Sequence, residues 1–281
     1  MTINQIFSLA KSRLSKAGIG SSAFDALCLI KKHFGYDRTA LVINGNNTAD
    51  EHISEAFFAD IKLRSEGRPL QYILGEWEVF GHTFKVGDGV LIPRQDTEIL
   101  IETVLTRLKN VREPVIVDLC AGSGCVAVCI AKIRPDAQII AVELSDSAYW
   151  YLKQNIESYG LANIKVYKND VLKGPCGILE KTVDCIAANP PYIKTGDLKQ
   201  LQREVRHEPQ MALDGGADGL KFYRAIARSW VPFLNRNGVV AVEIGAGQAR
   251  EVSAIFSSAS IHKIESVPDY SGLERVIVGM R

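Results

Sequence analysis

Apolar residues recur every three or four positions through the first 75 residues, and beyond them the pattern shortens to strand-like runs. Ile6, Leu9, Ala10, Leu14 and Ala17 fall on one helical face. Ser22 to Asp25 has the form of a capping box and predicts a second helix carrying Phe24, Leu27 and Cys28. From about Asp50 to Ser65, a stripe of Ile53, Ala56, Phe57 and Ile61 opposes Glu51, Glu55, Asp60 and Lys62, and Gly67 with Pro69 ends that helix. Residues 1–75 therefore read as a small bundle of three to five helices without candidate chemistry.

Residues 76–86 alternate around Gly81, which predicts a β-hairpin and sets off 76–88 as a linker. Candidate strands follow at Val115–Leu119, Gln138–Val142, Ile164–Tyr167, Val183–Ala187, Val239–Ile244, Ile261–Val267 and Arg275–Val278. Helical stretches separating the first five predict an α/β fold with a parallel sheet and right-handed crossovers. The short final connection leaves room for an antiparallel strand. Residues 89–281 would form this second domain.

Composition narrows the function classes. A net charge of +1 gives no electrostatic footprint for nucleic acid, so no direct nucleic-acid binding is expected. The six cysteines show no C-x-x-C spacing, so no metal site is expected and reduced thiols in a cytoplasmic protein are. The first residues lack the basic-then-apolar pattern of a signal peptide, and no apolar run approaches the roughly 20 residues of a membrane span. A soluble protein without a membrane role is expected.

Val115 to Ala127 reads as a strand, a Gly-rich turn and a helix start. Gly122 and Gly124 allow close backbone approach to a ligand. Taken alone, this turn suits a dinucleotide, S-adenosylmethionine, or no ligand. Glu143 ends the next strand, about twenty positions on, where a carboxylate can accept ribose hydroxyls. Asp170 follows the third strand, where it can accept from an adenine amine, with the Val171 backbone beside it. Acids after strands one (Asp118), two and three favour S-adenosylmethionine over a dinucleotide.

Asn189-Pro190-Pro191-Tyr192 directly follows the fourth strand. An amide or aromatic amine is a poor nucleophile because its lone pair is delocalised. Two acceptors, the Asn189 side-chain oxygen and the Pro190 carbonyl, can hold its N–H groups and aim the nitrogen at a methyl sulfonium. The prolines stiffen the loop, and Tyr192 offers a flat face to a planar group. The bland alternative is a Pro-Pro turn. The loop does not name its substrate, since adenine-amino methyltransferases use it too. A non-catalytic binding protein leaves the intact loop without a purpose, and an NAD-dependent oxidoreductase leaves it unexplained.

Taken jointly, several segments resemble the release-factor glutamine methyltransferases of the HemK/PrmC type. They are Arg68–Trp77, Leu91–Arg94 with Thr97 and Glu98, Asn189–Tyr192, Glu208-Pro209, Ala212-Leu213, Gly215-Gly216, Asp218-Gly219, and Glu243–Gly245 with Gln248. The resemblance implies a seven-stranded Rossmann-like class I methyltransferase sheet with a helical N-terminal substrate-docking domain. It implies methyl transfer from S-adenosyl-L-methionine, leaving S-adenosyl-L-homocysteine, to the side-chain amide of the glutamine in the Gly-Gly-Gln motif of class 1 peptide chain release factors, by a monomer. By position, Asp118, Cys120, Ala121, Gly122, Ser123, Gly124, Glu143, Asp170, Val171 and Asn189 would bind cofactor. Asn189, Pro190, Pro191 and Tyr192 would hold the glutamine, with Asn189, Pro190 and Tyr192 catalytic. Cys120 and Ala121 stand where the family commonly has Gly and Thr, Glu143 replaces a frequent Asp, and Gln95-Asp96 replace Pro-Glu. Arg94 and Glu98 either reach the methionine end of the cofactor or begin a solvated helix. His207 is given no role.

Overall fold

A computed structural model describes residues 1–179 and 181–281. The chain divides into two compact units. One comprises Met1–Glu76 with Gln202–His207, the other Trp77–Leu201 with Glu208–Arg281.

The first unit contains α1 (Ile3–Lys16), α2 (Ser22–Phe34), α3 (Arg38–Asn44), α4 (Glu51–Ser65) and α5 (Leu70–Leu74). A capping box does form, but at the start of α1. There the Thr2 hydroxyl accepts from Gln5 N and the Gln5 side chain accepts from Thr2 N. The box expected at Ser22–Asp25 is absent, and Ser21 precedes α2 without a side-chain cap. Its acid is committed elsewhere. Asp25 takes the Arg64 guanidinium at 2.6 Å, with both side chains buried, and a charge-assisted bond outweighs a neutral cap. Glu204 accepts from the same guanidinium at 3.0 Å. The inward face of α2 is Ala26, Leu29 and Ile30, leaving Phe24 exposed. On α4, Phe57 and Ile61 are buried as expected, while Ile53 and Ala56 face solvent.

From Trp77 onward the second unit holds the hairpin of β1 (Glu76–Val79) and β2 (His82–Lys85), the first residue of β1 closing the first unit's long segment. The hairpin's two turn residues, Phe80 and Gly81, both have positive φ (53° and 69°), the tight turn whose twist matches paired strands. Then come α6 (Asp96–Arg107), β3 (Val115–Leu119), α7 (Cys125–Ile133), β4 (Gln138–Glu143), α8 (Asp146–Ser158), β5 (Ile164–Lys168) and β6 (Val183–Ala188). The unit closes with α9 (Lys221–Ser229), β7 (Leu234–Glu243), α10 (Ala249–Ser258), β8 (His262–Pro268) and β9 (Glu274–Met280). All seven expected strands are present, with β7 beginning five residues earlier than its apolar run and β9 one residue earlier. One expectation fails. Between β5 and β6 the described residues carry only a 3₁₀ turn, Val171–Lys173, where a helix was expected.

These strands form one sheet in the order β5-β4-β3-β6-β7-β9-β8. The first five run parallel, and β9 is antiparallel to both its neighbours. Apolar layers cover both faces. Leu100, Val104, Val128 and Leu152 pack on one side, and Tyr223, Trp230 and Phe256 on the other. The central strands are nearly continuous in apolar residues because both faces are buried.

Candidate active site

After β3 the sheet grows through β4 and β5 in one direction and through β6 and β7 in the other. Ligands in open α/β sheets bind beyond the carboxyl ends of the strands where that direction switches. A cavity of about 320 Å³ lies there. Of the residues singled out from the sequence, Cys120, Gly122, Glu143, Asp170, Val171, Asn189 and Pro191 line it. Asp118, Ala121, Ser123, Gly124, Pro190 and Tyr192 do not.

For all of these but Pro190, the absence from the lining has a physical account. Asp118 is almost fully buried beneath the turn and accepts from Ala127 N at 3.1 Å, fastening the first turn of α7 to β3. Burial pushes its carboxyl up to about 7. Ala121 N donates to Val142 O, and the Ser123 carbonyl accepts from Asn155 Nδ2 at 2.8 Å. Asn155 also exchanges two hydrogen bonds with the Lys85 backbone, so one buried amide joins the hairpin to the Gly-rich turn. A Cβ on Gly124 would stand 2.5 Å from Leu152 Cδ1, so this glycine permits close packing of α8 and not ligand approach. Cys120, at the position where the family commonly has glycine, holds a left-handed backbone with φ 59°. Such a conformation costs a non-glycine residue roughly 1 kcal/mol.

Glu143 accepts three backbone N–H groups at 2.8 Å, from Gly122, Leu144 and Ser145. Burial raises its carboxyl despite these donors. Asp170 accepts from Leu172 N at 2.9 Å and opens the 3₁₀ turn. Val171 O accepts the buried Trp230 indole N–H at 2.9 Å, which anchors that turn to the core.

Asn189 Nδ2 donates to Thr97 Oγ1 at 3.1 Å, and Thr97 Oγ1 donates to Glu243 Oε2 at 2.8 Å. Burial pushes Glu243 up to about 7. Tyr192 packs partly into the apolar layer, with its hydroxyl 3.5 Å from Glu243, and burial pushes that phenol up. Its main-chain carbonyl accepts from Gln248 Nε2 at 3.0 Å. Gly215 and Gly219 lie against the same residue. A Cβ on Gly215 would come 2.7 Å from Tyr192 Cα, and one on Gly219 2.5 Å from Tyr192 O.

Leu91, Pro209, Met211, Ala212 and Asp214 form a further part of the cavity wall, and no motif or spacing in the sequence assigns them a function. Buried Glu208 joins the two ends of this wall, accepting from Ile92 N at 3.0 Å and from the Arg94 guanidinium. Arg94 is therefore an internal partner of Glu208. Glu98 accepts from Phe80 N at 2.8 Å and fastens the hairpin turn. Thr97, Glu243 and Gln248 had appeared only inside matching segments, and their pairing across long sequence separations explains why no local signal gave them roles.

No group of three or more potential metal ligands occurs among the described residues. Nor is any described helix long and apolar enough to cross a membrane. Among the cysteines, Cys125, Cys129 and Cys185 are buried, whereas Cys176 is exposed.

The architecture and cavity agree with known proteins. Residues 5–75 match the profile of the PrmC N-terminal domain, and residues 94–217 that of the methyltransferase small domain. The chain is 37% identical to the release factor glutamine methyltransferase of Geobacter sulfurreducens, over 99% of this chain and 96% of that one. It is 39% identical to the protein of the same name from Clostridium botulinum, over 94% of each. Among solved structures, the hMettl16 catalytic domain superposes with a TM-score of 0.59 at 14% identity, covering 82% of each chain, a likeness of fold. With near full-length matches of this kind across both of its units, the chain belongs to the release factor glutamine methyltransferase family.

Proposed function

We propose that the cavity binds S-adenosyl-L-methionine and that Asn189–Tyr192 present the glutamine side-chain amide of a Gly-Gly-Gln motif in class 1 peptide chain release factors for methylation at nitrogen. The observation that carries this reading is the convergence of Glu143, Asp170 and Asn189, from the carboxyl ends of β4, β5 and β6 on either side of β3, on one cavity.

The lining fits the cofactor. Its charged groups are Glu143, Asp170, Asp214 and a single lysine, Lys221. That balance suits a sulfonium cation and opposes a diphosphate, which supports S-adenosylmethionine over a dinucleotide. Val142, Val171 and Leu172 offer apolar surface for a purine, and Glu143 and Asp170 are the acceptors for ribose hydroxyls and the adenine amine. When bound, S-adenosylmethionine supplies an electrophilic methyl group on sulfur.

The chain's own contribution is orientation. Asn189 Oδ1 and the Pro190 carbonyl accept the two N–H groups of the substrate amide, turning its nitrogen lone pair out of conjugation and toward the methyl donor. Pro190 and Pro191 fix the loop backbone, so little reorganisation remains for the transition state. Tyr192 serves through its carbonyl and packing, and its ring edge closes the loop against the core. The helical residues 1–75 dock the release factor, residues 76–88 link, and residues 89–281 carry out transfer as a cytoplasmic monomer without contacting nucleic acid.

Incubation of the full chain with purified release factor and S-adenosylmethionine, followed by peptide mass spectrometry, tests this. One methyl is expected on the Gly-Gly-Gln glutamine. Asn189→Ala is expected to lower kcat about a hundredfold, or about 3 kcal/mol, while S-adenosylhomocysteine affinity in calorimetry stays near wild type. Methyl on another residue type, or on adenine in a nucleic acid, would overturn the substrate assignment.

A further inference from the structure

An asparagine amide carries an oxygen and an NH₂ of nearly the same size, and a half-turn of the group exchanges an acceptor for a donor. The proposed chemistry requires the acceptor to face the substrate. With the amide reversed, the NH₂ of Asn189 would confront the N–H of the substrate amide, donor against donor.

Two buried residues address that choice. Thr97 and Glu243 are each 1% exposed, and neither lines the cavity. The Thr97 hydroxyl has one hydrogen, which it gives to Glu243 Oε2 at 2.8 Å. Only lone pairs remain on Thr97 Oγ1, so it can meet Asn189 solely as an acceptor. Asn189 donates Nδ2 to it at 3.1 Å. Its Oδ1 is thereby left to face the other way.

We propose that Thr97 and Glu243 are positioning residues, and that the direction of hydrogen bonding from Asn189 through Thr97 to Glu243 selects the orientation of the Asn189 amide. This rests on the reading of Asn189 as the acceptor for a substrate amide. The chain joins the loop after β6 to the start of α6 and the end of β7, so three elements set one rotamer. The second oxygen of Glu243 lies 3.5 Å from the Tyr192 hydroxyl, a further donor to the same carboxylate. Among the described residues, the Thr97 and Tyr192 hydroxyls are the donors to the Glu243 side chain, one to each oxygen, and a carboxyl that takes up a proton still keeps one oxygen as an acceptor.

Full-length Thr97→Val and Thr97→Ser separate this role from packing. Valine keeps the volume and removes the hydroxyl, whereas serine keeps the hydroxyl. In Thr97→Val, kcat for release factor is expected to fall between about tenfold and a hundredfold, the range that loss of alignment produces. KM and S-adenosylhomocysteine affinity should stay within about twofold, and Thr97→Ser should recover kcat to within a few-fold. A readout independent of turnover is the Asn189 side-chain NH₂ resonance in ¹⁵N-labelled protein, assigned by its loss in Asn189→Asp. It should move in Thr97→Val and return in Thr97→Ser. Thr97→Ala removes the hydroxyl without adding bulk and replaces the valine variant if that one does not fold. A serine variant as slow as valine would overturn the proposal, as would a resonance unmoved by loss of the hydroxyl. If the wild type methylates no release factor, the substrate reading fails, and the resonance alone then decides the orientation role.

Discussion

Replacing Gly219 by alanine places a methyl group 2.5 Å from the Tyr192 carbonyl oxygen and 2.7 Å from Gln248 Nε2. Ordinary contact begins near 3.4 Å, so the carbonyl must retreat by about 0.9 Å or the new Cβ must move by as much. Either shift breaks the 3.0 Å bond from Gln248 to Tyr192 O, worth about 1 kcal/mol net. Alanine at φ 77° adds roughly 1 kcal/mol of backbone strain, partly offset by about 0.7 kcal/mol from a less flexible unfolded chain. With the residual clash, the loss is about 2 kcal/mol. In a unit of this size that lowers Tm by about 4–8 °C. Because Tyr192 ends the loop that begins at Asn189, kcat should fall by up to about a hundredfold. Gly160→Ala is the matched control. It too has a left-handed backbone, at φ 61°, but its added Cβ meets nothing within 4 Å. Its Tm should move by less than about 2 °C, with kcat unchanged. Calorimetric melting and steady-state methyl transfer measure both variants. If the two behave alike, the close approach of Gly219 to Tyr192 has no mechanical consequence and the reasoning fails.

Arg64→Ala should cost the first unit about 3–5 kcal/mol in urea unfolding, because it strands Asp25 as a buried charge. Lys62→Ala, which removes only an exposed pair with Glu66, should leave stability unchanged. The carboxyls of Asp118 and Glu243 both lie near 7 in the folded chain, against ordinary values of 3.8 and 4.5. A raised folded value means that their stabilising contribution is complete below the ordinary value and is lost as pH rises through about 7. Between pH 5 and 7 each therefore removes up to about 3 kcal/mol, and Asp118→Asn should flatten the measured decline. An equally steep decline in that variant would place the titration elsewhere.

What the sequence made legible was whatever has a local period or a fixed spacing. The hairpin around Gly81, the strand ends bearing Glu143 and Asp170, and the loop at Asn189 all belong to that class. The inward face of α2 was not legible. Phe24, Leu27 and Cys28 follow helical spacing as well as Ala26, Leu29 and Ile30 do, and only tertiary packing chooses between them. The choice is tied to Asp25, whose partner Arg64 is 39 residues away. The same limit hid Thr97 and Glu243, separated by 146 residues, and the wall at Pro209–Asp214, where a single short 3₁₀ turn leaves no period to read. Cys120 is an intermediate case. The resemblance to the family marked it as a residue standing where glycine is common, and the positive φ is what makes it unusual.

The placement of β9 between β7 and β8 has a consequence for how this sheet can be built. During synthesis β8 emerges before β9, yet among the described strands β8 pairs with β9 alone. Until Glu274–Met280 has cleared the ribosome, the edge of β7 lies open and β8 has no strand to join. The parallel half of the sheet, which bears Glu143, Asp170 and Asn189, can pair without that late arrival. Assembly is thus ordered in time, with the ligand-facing half able to form first and the outer half waiting on the final strand.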